Sequence, residues 1–191
     1  MADNDRGFVD NYLAELGTLI DGLDNEAIAT AIAWMRETRD ADGTIFICGN
    51  GGSASIASQM VVDIVKGASL RKAARFKMIG LTDSIATITA YANDEGYETV
   101  FEEPLRNFAR PGDLVMGISG SGNSENVLRA IRYANGADCR TIGLTTGQAG
   151  ALKDLVSLAL AVPSGHMGRL EDCFFVMTHV LCYAFMEEPD A

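Results

Sequence analysis

The stretch from Thr44 to Lys66, TIFICGNGGSASIASQMVVDIVK, constrains this chain more than any other. Thr44–Cys48 is a short apolar run bounded by glycine, the pattern of a buried strand. Gly49-Asn50-Gly51-Gly52 follows as a turn, and Ser53 stands where a helix N-cap belongs. Residues with so little side chain let the backbone turn sharply and let an anion reach its N–H groups. The following helix directs its unpaired N–H groups and the positive end of its dipole at the same spot. A phosphate is the natural occupant. Gln59 and Asp63, four residues apart, share one face of that helix. A carboxylate about two to three turns below the cradle points to a phosphorylated substrate with its reactive carbons near Asp63.

The rest of the chain alternates. Apolar residues at Phe8, Tyr12, Leu16, Leu19, Ile20 and Leu23 have helical spacing, and Asn25–Arg39 reads as a second helix. Both precede the first strand, so they are expected at the sheet's edge or against another subunit. Lys77–Leu81 reads as a strand, Ser84–Ala92 as a helix, 92–97 as a polar loop and Tyr97–Phe108 as a further helix. Arg110–Asp113 is a turn launching the strand Leu114–Ile118. Ser119–Ser124 is a second loop of small residues, and Glu125–Asn135 a helix. The remaining elements are the strand Thr141–Leu144, a short helix Ala151–Leu155, the strand Ser157–Val162 and a final helix Arg169–Met186. Strands of four to six apolar residues alternating with helices mean an α/β fold with a parallel, doubly wound sheet. Ligands bind beyond the carboxyl ends of such strands, where both small-residue loops fall. The length of 191 residues fits one domain, 1–191, with N-terminal helices over 1–40 and the core over 41–191.

Charge narrows the function. Asp and Glu number 26 against 15 Lys and Arg, a formal net charge of -11. General binding to nucleic acid or to an anionic membrane needs the opposite sign. Cys48, Cys139, Cys173 and Cys182 form no CxxC pair and read as buried free thiols of a reducing compartment. Met1–Gly7 is polar and acidic, so no secretory leader is expected, and no apolar run reaches membrane-spanning length. The expected location is the cytoplasm.

Ser119, Ser121 and Ser124 place three hydroxyls around a turn that opens a helix. Hydroxyls and turn N–H groups together fill a phosphate's acceptor sites. A plain flexible loop would account for that segment alone; two such loops after two strands of one sheet favour an anion site. No GxxxxGK[ST] occurs. Gly49–Ala54 fits GxGxxA, but a dinucleotide site needs an acid at the end of the next strand, and Ser69–Gly80 contains none. No nucleotide cofactor is expected.

Five segments, GNGGSAS at 49–55, ANDEGY at 92–97, GISGSGNSENVLRA at 117–130, TIGLT at 141–145 and HVLC at 179–182, resemble the sugar isomerase (SIS) domain family, and within it the phosphoheptose isomerase group. The resemblance runs from about Asn11 to Glu187. It implies a flavodoxin-like three-layer αβα sandwich around a five-stranded parallel sheet, and a homotetramer with active sites at subunit interfaces. It also implies a phosphorylated sugar as ligand, with sedoheptulose 7-phosphate converted to a heptose 7-phosphate.

By the same resemblance Asn50, Gly51, Gly52 and Ser53 contact substrate. Ser119, Gly120, Ser121 and Ser124 surround its phosphate, and Asn93 and Asp94 lie beside the sugar. The family's base, usually Glu, falls on Asp63, and its acid His on His179. A family zinc site falls on Gln59, Asp63, Glu171 and His179. The chemistry is coherent: a carboxylate takes the proton that passes through an enediolate, and an imidazole serves the neighbouring oxygen. A cation near both oxygens would stabilise the developing charge. Glu171 precedes His179 by eight residues, which would let both address one side of the helix.

The chain also departs from the family. Gln59 puts an amide, a poor zinc ligand, where an imidazole is usual. Asp63 reaches about 1 Å less than Glu. Gly120 replaces a common Thr, Glu171 an amide, and Phe174 a frequent His. Two other readings therefore stay open. One is a non-catalytic phosphosugar-binding or protein-interaction module of the replication-initiator-associated type. The other is an isomerase of a different sugar phosphate. Whether Asp63 and His179 share a pocket with the phosphate loops separates binding from catalysis.

Overall fold

The protein is described by a computed structural model covering residues 2–188. Two helices come first, α1 (Ala2–Asp21) and α2 (Asn25–Asp40). The αβ core follows as β1 (Thr44–Gly49), α3 (Gly52–Val62), β2 (Lys77–Gly80), α4 (Ile85–Asp94), α5 (Glu102–Phe108), β3 (Leu114–Ser119), α6 (Glu125–Gly136), β4 (Arg140–Thr146), α7 (Leu152–Leu155), β5 (Leu158–Val162) and α8 (Met167–Met186). The five strands form one sheet in the order β2-β1-β3-β4-β5, and every pairing is parallel.

β1 and β3 are buried along almost their whole length, which is why they read as continuous apolar runs. Their side chains still alternate between faces. Ile45 and Ile47 pack with α2, α3 and α8 on one face, while Phe46 and Cys48 pack with α5, α6 and α7 on the other. The αβα sandwich expected from the sequence is therefore present. β1 pairs with β2 on one side and with β3 on the other. The chain reverses its direction of winding there and opens a crevice between the carboxyl ends of β1 and β3.

Several local expectations are corrected. α2 packs on a sheet face through Ile28, Ala31 and Met35 rather than at its edge. α1 docks on α8: the Tyr12 hydroxyl donates to Asp172 Oδ2 at 2.6 Å, and Arg169 pairs with Glu15. The polar segment 92–97 is helical through Asp94, and the break comes at Gly96, with φ of 109°. Tyr97–Phe108 is not one helix. Pro104 would lack an N–H and clash with a preceding turn, so the helix restarts at Glu102 and places Pro104 in its first turn, where no N–H is needed. Residues 145 and 146 extend β4, and α8 begins two residues early, capped by His166, whose Nδ1 accepts from Arg169 N. All four cysteines are free and buried. Among the described residues no helix is long and apolar enough to cross a membrane.

Candidate active site

The two small-residue loops meet in the crevice. Gly51, with φ of 56° and ψ of -122°, is the N-cap of α3. Residues with a Cβ rarely enter that region, so glycine lets the helix begin at Gly52. Ser53 is thus not the cap expected from the sequence. It is the second residue of α3, buried, and lines a cavity of about 280 Å³ together with Asn50, Ser119, Gly120, Ser121, Ser124, Met167 and Glu171.

The serine loop is organised by its own hydroxyls. Ser119 Oγ lies 3.0 Å from Ser124 Oγ and 3.4 Å from Ser121 Oγ. Ser124 is the N-cap residue of α6, yet its side chain makes no capping bond and faces Ser119 instead. No side chain caps α3 either. The N-cap side chains of both helices thus leave the opening N–H groups, Gly52 and Ser53 of α3 and Glu125 and Asn126 of α6, uncapped. Lys and Arg are absent from its described lining, so the two helix termini and the hydroxyls supply the attraction for an anion. At Gly120 a Cβ would overlap Met167 Sδ. The position without a side chain is filled by the methionine, which accounts physically for the missing Thr.

Asp63 and His179 come together where the turn after α3 packs against α8. His179 Nε2 lies 3.8 Å from Asp63 Oδ2. Gln59 Nε2 donates to Asp63 Oδ1 at 3.2 Å. Asp63 opens a π-helical turn, Asp63–Gly67, closed by the bond from Ala68 N to Asp63 O at 2.8 Å. Such turns recur at functional sites. Phe175 and Tyr183, one turn either side of His179 on α8, lie against its ring with centroids 6.2 and 6.3 Å away. Cys182 stands close by. Burial pushes its thiol up to about 12, with Asp63 adding to the rise, so it remains a neutral neighbour of the pair.

Glu171 does not join them. Its carboxylate lies against Gly52 at the amino end of α3 and lines the serine cavity. Eight residues of α8 carry the chain about 12 Å from Glu171 to His179. The Asp63–His179 pair in turn is not among the residues lining the serine cavity. The zinc set expected from the resemblance is therefore split. Gln59 turns its amide N–H toward Asp63, Glu171 is elsewhere, and among the described residues no three His, Cys, Asp or Glu side chains converge as metal ligands. These residues do not fit a zinc ion. Asn93 and Asp94 end α4, are exposed, bond to each other at 2.7 Å, and do not line the cavity.

The sequence reading missed two residues here. Asn126, almost fully buried, exchanges hydrogen bonds with Asn50, and Tyr97 donates to Asn50. The available signal was a carboxamide in the first turn of a helix whose following residues, Val127 and Leu128, are apolar.

Comparison with known proteins agrees with this geometry. A family model of the SIS domain matches residues 10–146. The chain is 37% identical over 163 residues to a phosphoheptose isomerase of Helicobacter pylori, covering 85% of this chain and 84% of that protein. A phosphoheptose isomerase from Francisella tularensis superposes with a TM-score of 0.90 at 26% identity, covering 98% of this chain and 100% of the other. One from Neisseria gonorrhoeae gives 0.87 at 28% identity, with 94% and 97% covered. With the sheet order, the paired small-residue loops and these matches in agreement, the chain belongs to the SIS domain family.

Proposed function

We propose that this protein is an aldose–ketose isomerase of phosphorylated sugars, converting sedoheptulose 7-phosphate to D-glycero-D-manno-heptose 7-phosphate. The observation that carries the reading is the Asp63–His179 contact, in a chain whose relatives are named phosphoheptose isomerases. The pair does not line the serine cavity, so a shared pocket does not decide between catalysis and binding; the names of the relatives favour catalysis.

The serine cavity holds the phosphate through Ser119, Ser121, Ser124 and the N–H groups at Gly52 and Ser53. The sugar extends from there along α3 and α8, with Glu171 beside its hydroxyls. About 12 Å of α8 separates Glu171 from His179, a span that suits a seven-carbon chain better than a short one. Asp63 removes a proton from C1 of the ketose. His179 gives a proton to O2 as the carbonyl becomes an enediol. Asp63 returns its proton to C2 and His179 takes the proton of O1, which leaves the aldehyde. Each residue ends in the state in which it began. Gln59 holds Asp63 through its Oδ1 and leaves Oδ2 facing His179.

The working form is a homotetramer in the cytoplasm. Exposed apolar side chains support the assembly, Phe8, Val9 and Leu13 on α1 and Val62, Val65, Val180 and Tyr183 around the Asp63–His179 pair. Free, buried cysteines suit a reducing compartment. The test is product formation from sedoheptulose 7-phosphate followed by NMR. Appearance of the aldose phosphate is expected; binding of phosphosugar without turnover would overturn the isomerase.

A further inference from the structure

Asn50, Asn126 and Tyr97 bring three separate segments to one point in the crevice. Asn50 Nδ2 donates to Asn126 Oδ1 at 2.9 Å, and Asn126 Nδ2 donates back to Asn50 Oδ1 at 2.9 Å. This reciprocal amide pair joins the loop after β1 to the first turn of α6. Asn126 Oδ1 also accepts from Val127 N at 2.9 Å, which fixes its rotamer. The Tyr97 hydroxyl donates to Asn50 Oδ1 at 2.8 Å. Asn126 is 3% exposed and Tyr97 54%, so the network runs from the interior to the mouth of the site.

Counting donors and acceptors shows what this does to Asn50. A carboxamide offers two N–H donors and an oxygen with two lone pairs. Asn126 and Tyr97 occupy both lone pairs, and Asn126 takes one N–H. A single N–H is left, on a side chain that lines the cavity. Its direction is set by protein partners before any ligand arrives. A donor held in this way needs no ordering when the ligand binds.

We propose that Asn126 is a positioning residue for anion binding: acting through Asn50, it locks the two small-residue loops into one cradle, with Tyr97 as an outer latch. The proposal rests on the phosphosugar reading of the cavity. Asn126 is buried and is not among the residues lining the cavity, so its influence passes through Asn50.

A merely structural Asn126, one that served only to occupy the Val127 N–H, would affect stability and nothing else. Asn126→Ser separates the two roles, because a serine still offers that N–H an acceptor but cannot reach Asn50. The full-length chain, Asn126→Ser, Asn50→Ala, the double variant and Tyr97→Phe are titrated with inorganic phosphate by calorimetry, and KM and kcat are measured on sedoheptulose 7-phosphate. Asn126→Ser is expected to raise the phosphate Kd and the KM about tenfold, as for one lost positioning contact, with kcat within about twofold of the parent. In the Asn50→Ala background it is expected to do nothing more, and Tyr97→Phe shifts both constants the same way by about threefold. An unchanged Kd and KM, or effects that add in the double variant, would overturn the proposal. If the parent binds phosphate but turns nothing over, the phosphate titration still decides Asn126 and only the isomerase reading falls. If the parent binds no phosphate, both fall.

Discussion

His179 Nε2 faces Asp63 Oδ2 across 3.8 Å, although the two residues lie on helices far apart in the sequence. The separation is an ion-pair distance rather than a hydrogen bond, and groups of this kind tighten when substrate closes the site. Replacing Asp63 by Asn keeps the shape and removes the base. Replacing His179 by Ala removes the group that serves the oxygens. Each change is expected to lower kcat by about a hundred- to ten-thousand-fold while leaving the phosphate Kd unchanged, because neither side chain lines the serine cavity. The double variant is expected to be no worse than the poorer single one, since the two act as a unit. Steady-state kinetics beside phosphate calorimetry checks all three.

Turnover is expected to survive metal removal. Gln59 spends an amide N–H on Asp63, and Glu171 sits at the amino end of α3, so the residues present do not assemble a zinc site. Dialysis against a chelator should leave kcat/KM unchanged. Gln59→His places an imidazole one helical turn from Asp63 and on the side of His179, and it is expected to bind zinc where the parent does not. Metal analysis after dialysis reads the difference. A parent that loses activity with a chelator and regains it with zinc would refute this.

The serine cavity was legible in sequence because it is local. A loop of small residues after a buried strand can be read without knowing the fold, and Ser119, Ser121 and Ser124 do converge. The Asp63–His179 pair came from resemblance, and the structure places the two side chains 3.8 Å apart. What stayed illegible is tertiary. Asn126 looks like any polar residue in a first helical turn until β1 and β3 lie side by side. Ser53 looks like a cap until Gly51 takes a backbone conformation that shifts the helix start. The position of Glu171 was not available: eight residues along a helix leave both side chains on one side, and only the packing of α3 against α8 shows the Glu171 carboxylate lying against Gly52.

The cysteines give a pH prediction with a definite sign. Burial raises the Cys48 thiol to about 12 and, with smaller contributions from Asp113 and Asp138, the Cys139 thiol to about 11; Cys182 also rises to about 12. In the unfolded chain these groups return to about 8.5. Between those values the unfolded state binds fewer protons than the native one, so stability is intact below about pH 8.5 and falls as pH rises toward 11 and 12. Denaturant midpoints measured from pH 7 to 10.5 should decline above 8.5. At pH 8 a thiol with a pKa of 12 is about one part in ten thousand thiolate, so iodoacetamide should leave Cys48 unmodified in the native protein and label it on unfolding. Rapid native labelling of Cys48 would contradict the buried placement.

Gly52 and Glu171 make the last prediction. The glycine stands where the α3 N-terminus meets the serine cavity, and a Cβ on it would overlap the Glu171 carboxylate. Its own φ carries no requirement for glycine, and the group it would displace is the free end of a flexible side chain. Gly52→Ala should therefore be nearly neutral in stability, or slightly favourable as alanine suits a helix better. Its effect should fall on binding. Pushed from its place against the backbone, the Glu171 carboxylate stays in a cavity meant for a dianion, and repulsion between like charges weakens phosphate binding. A rise of about three- to tenfold in KM is expected, on the scale of a charge moved by an ångström or two in a partly solvated site. Glu171→Gln in the same background should recover most of the loss, because the amide fills the same volume without the charge. If Gly52→Ala raises KM and Glu171→Gln does not restore it, the added methyl is obstructing the N–H groups of α3 directly. Glu171 would then have no electrostatic part in the site.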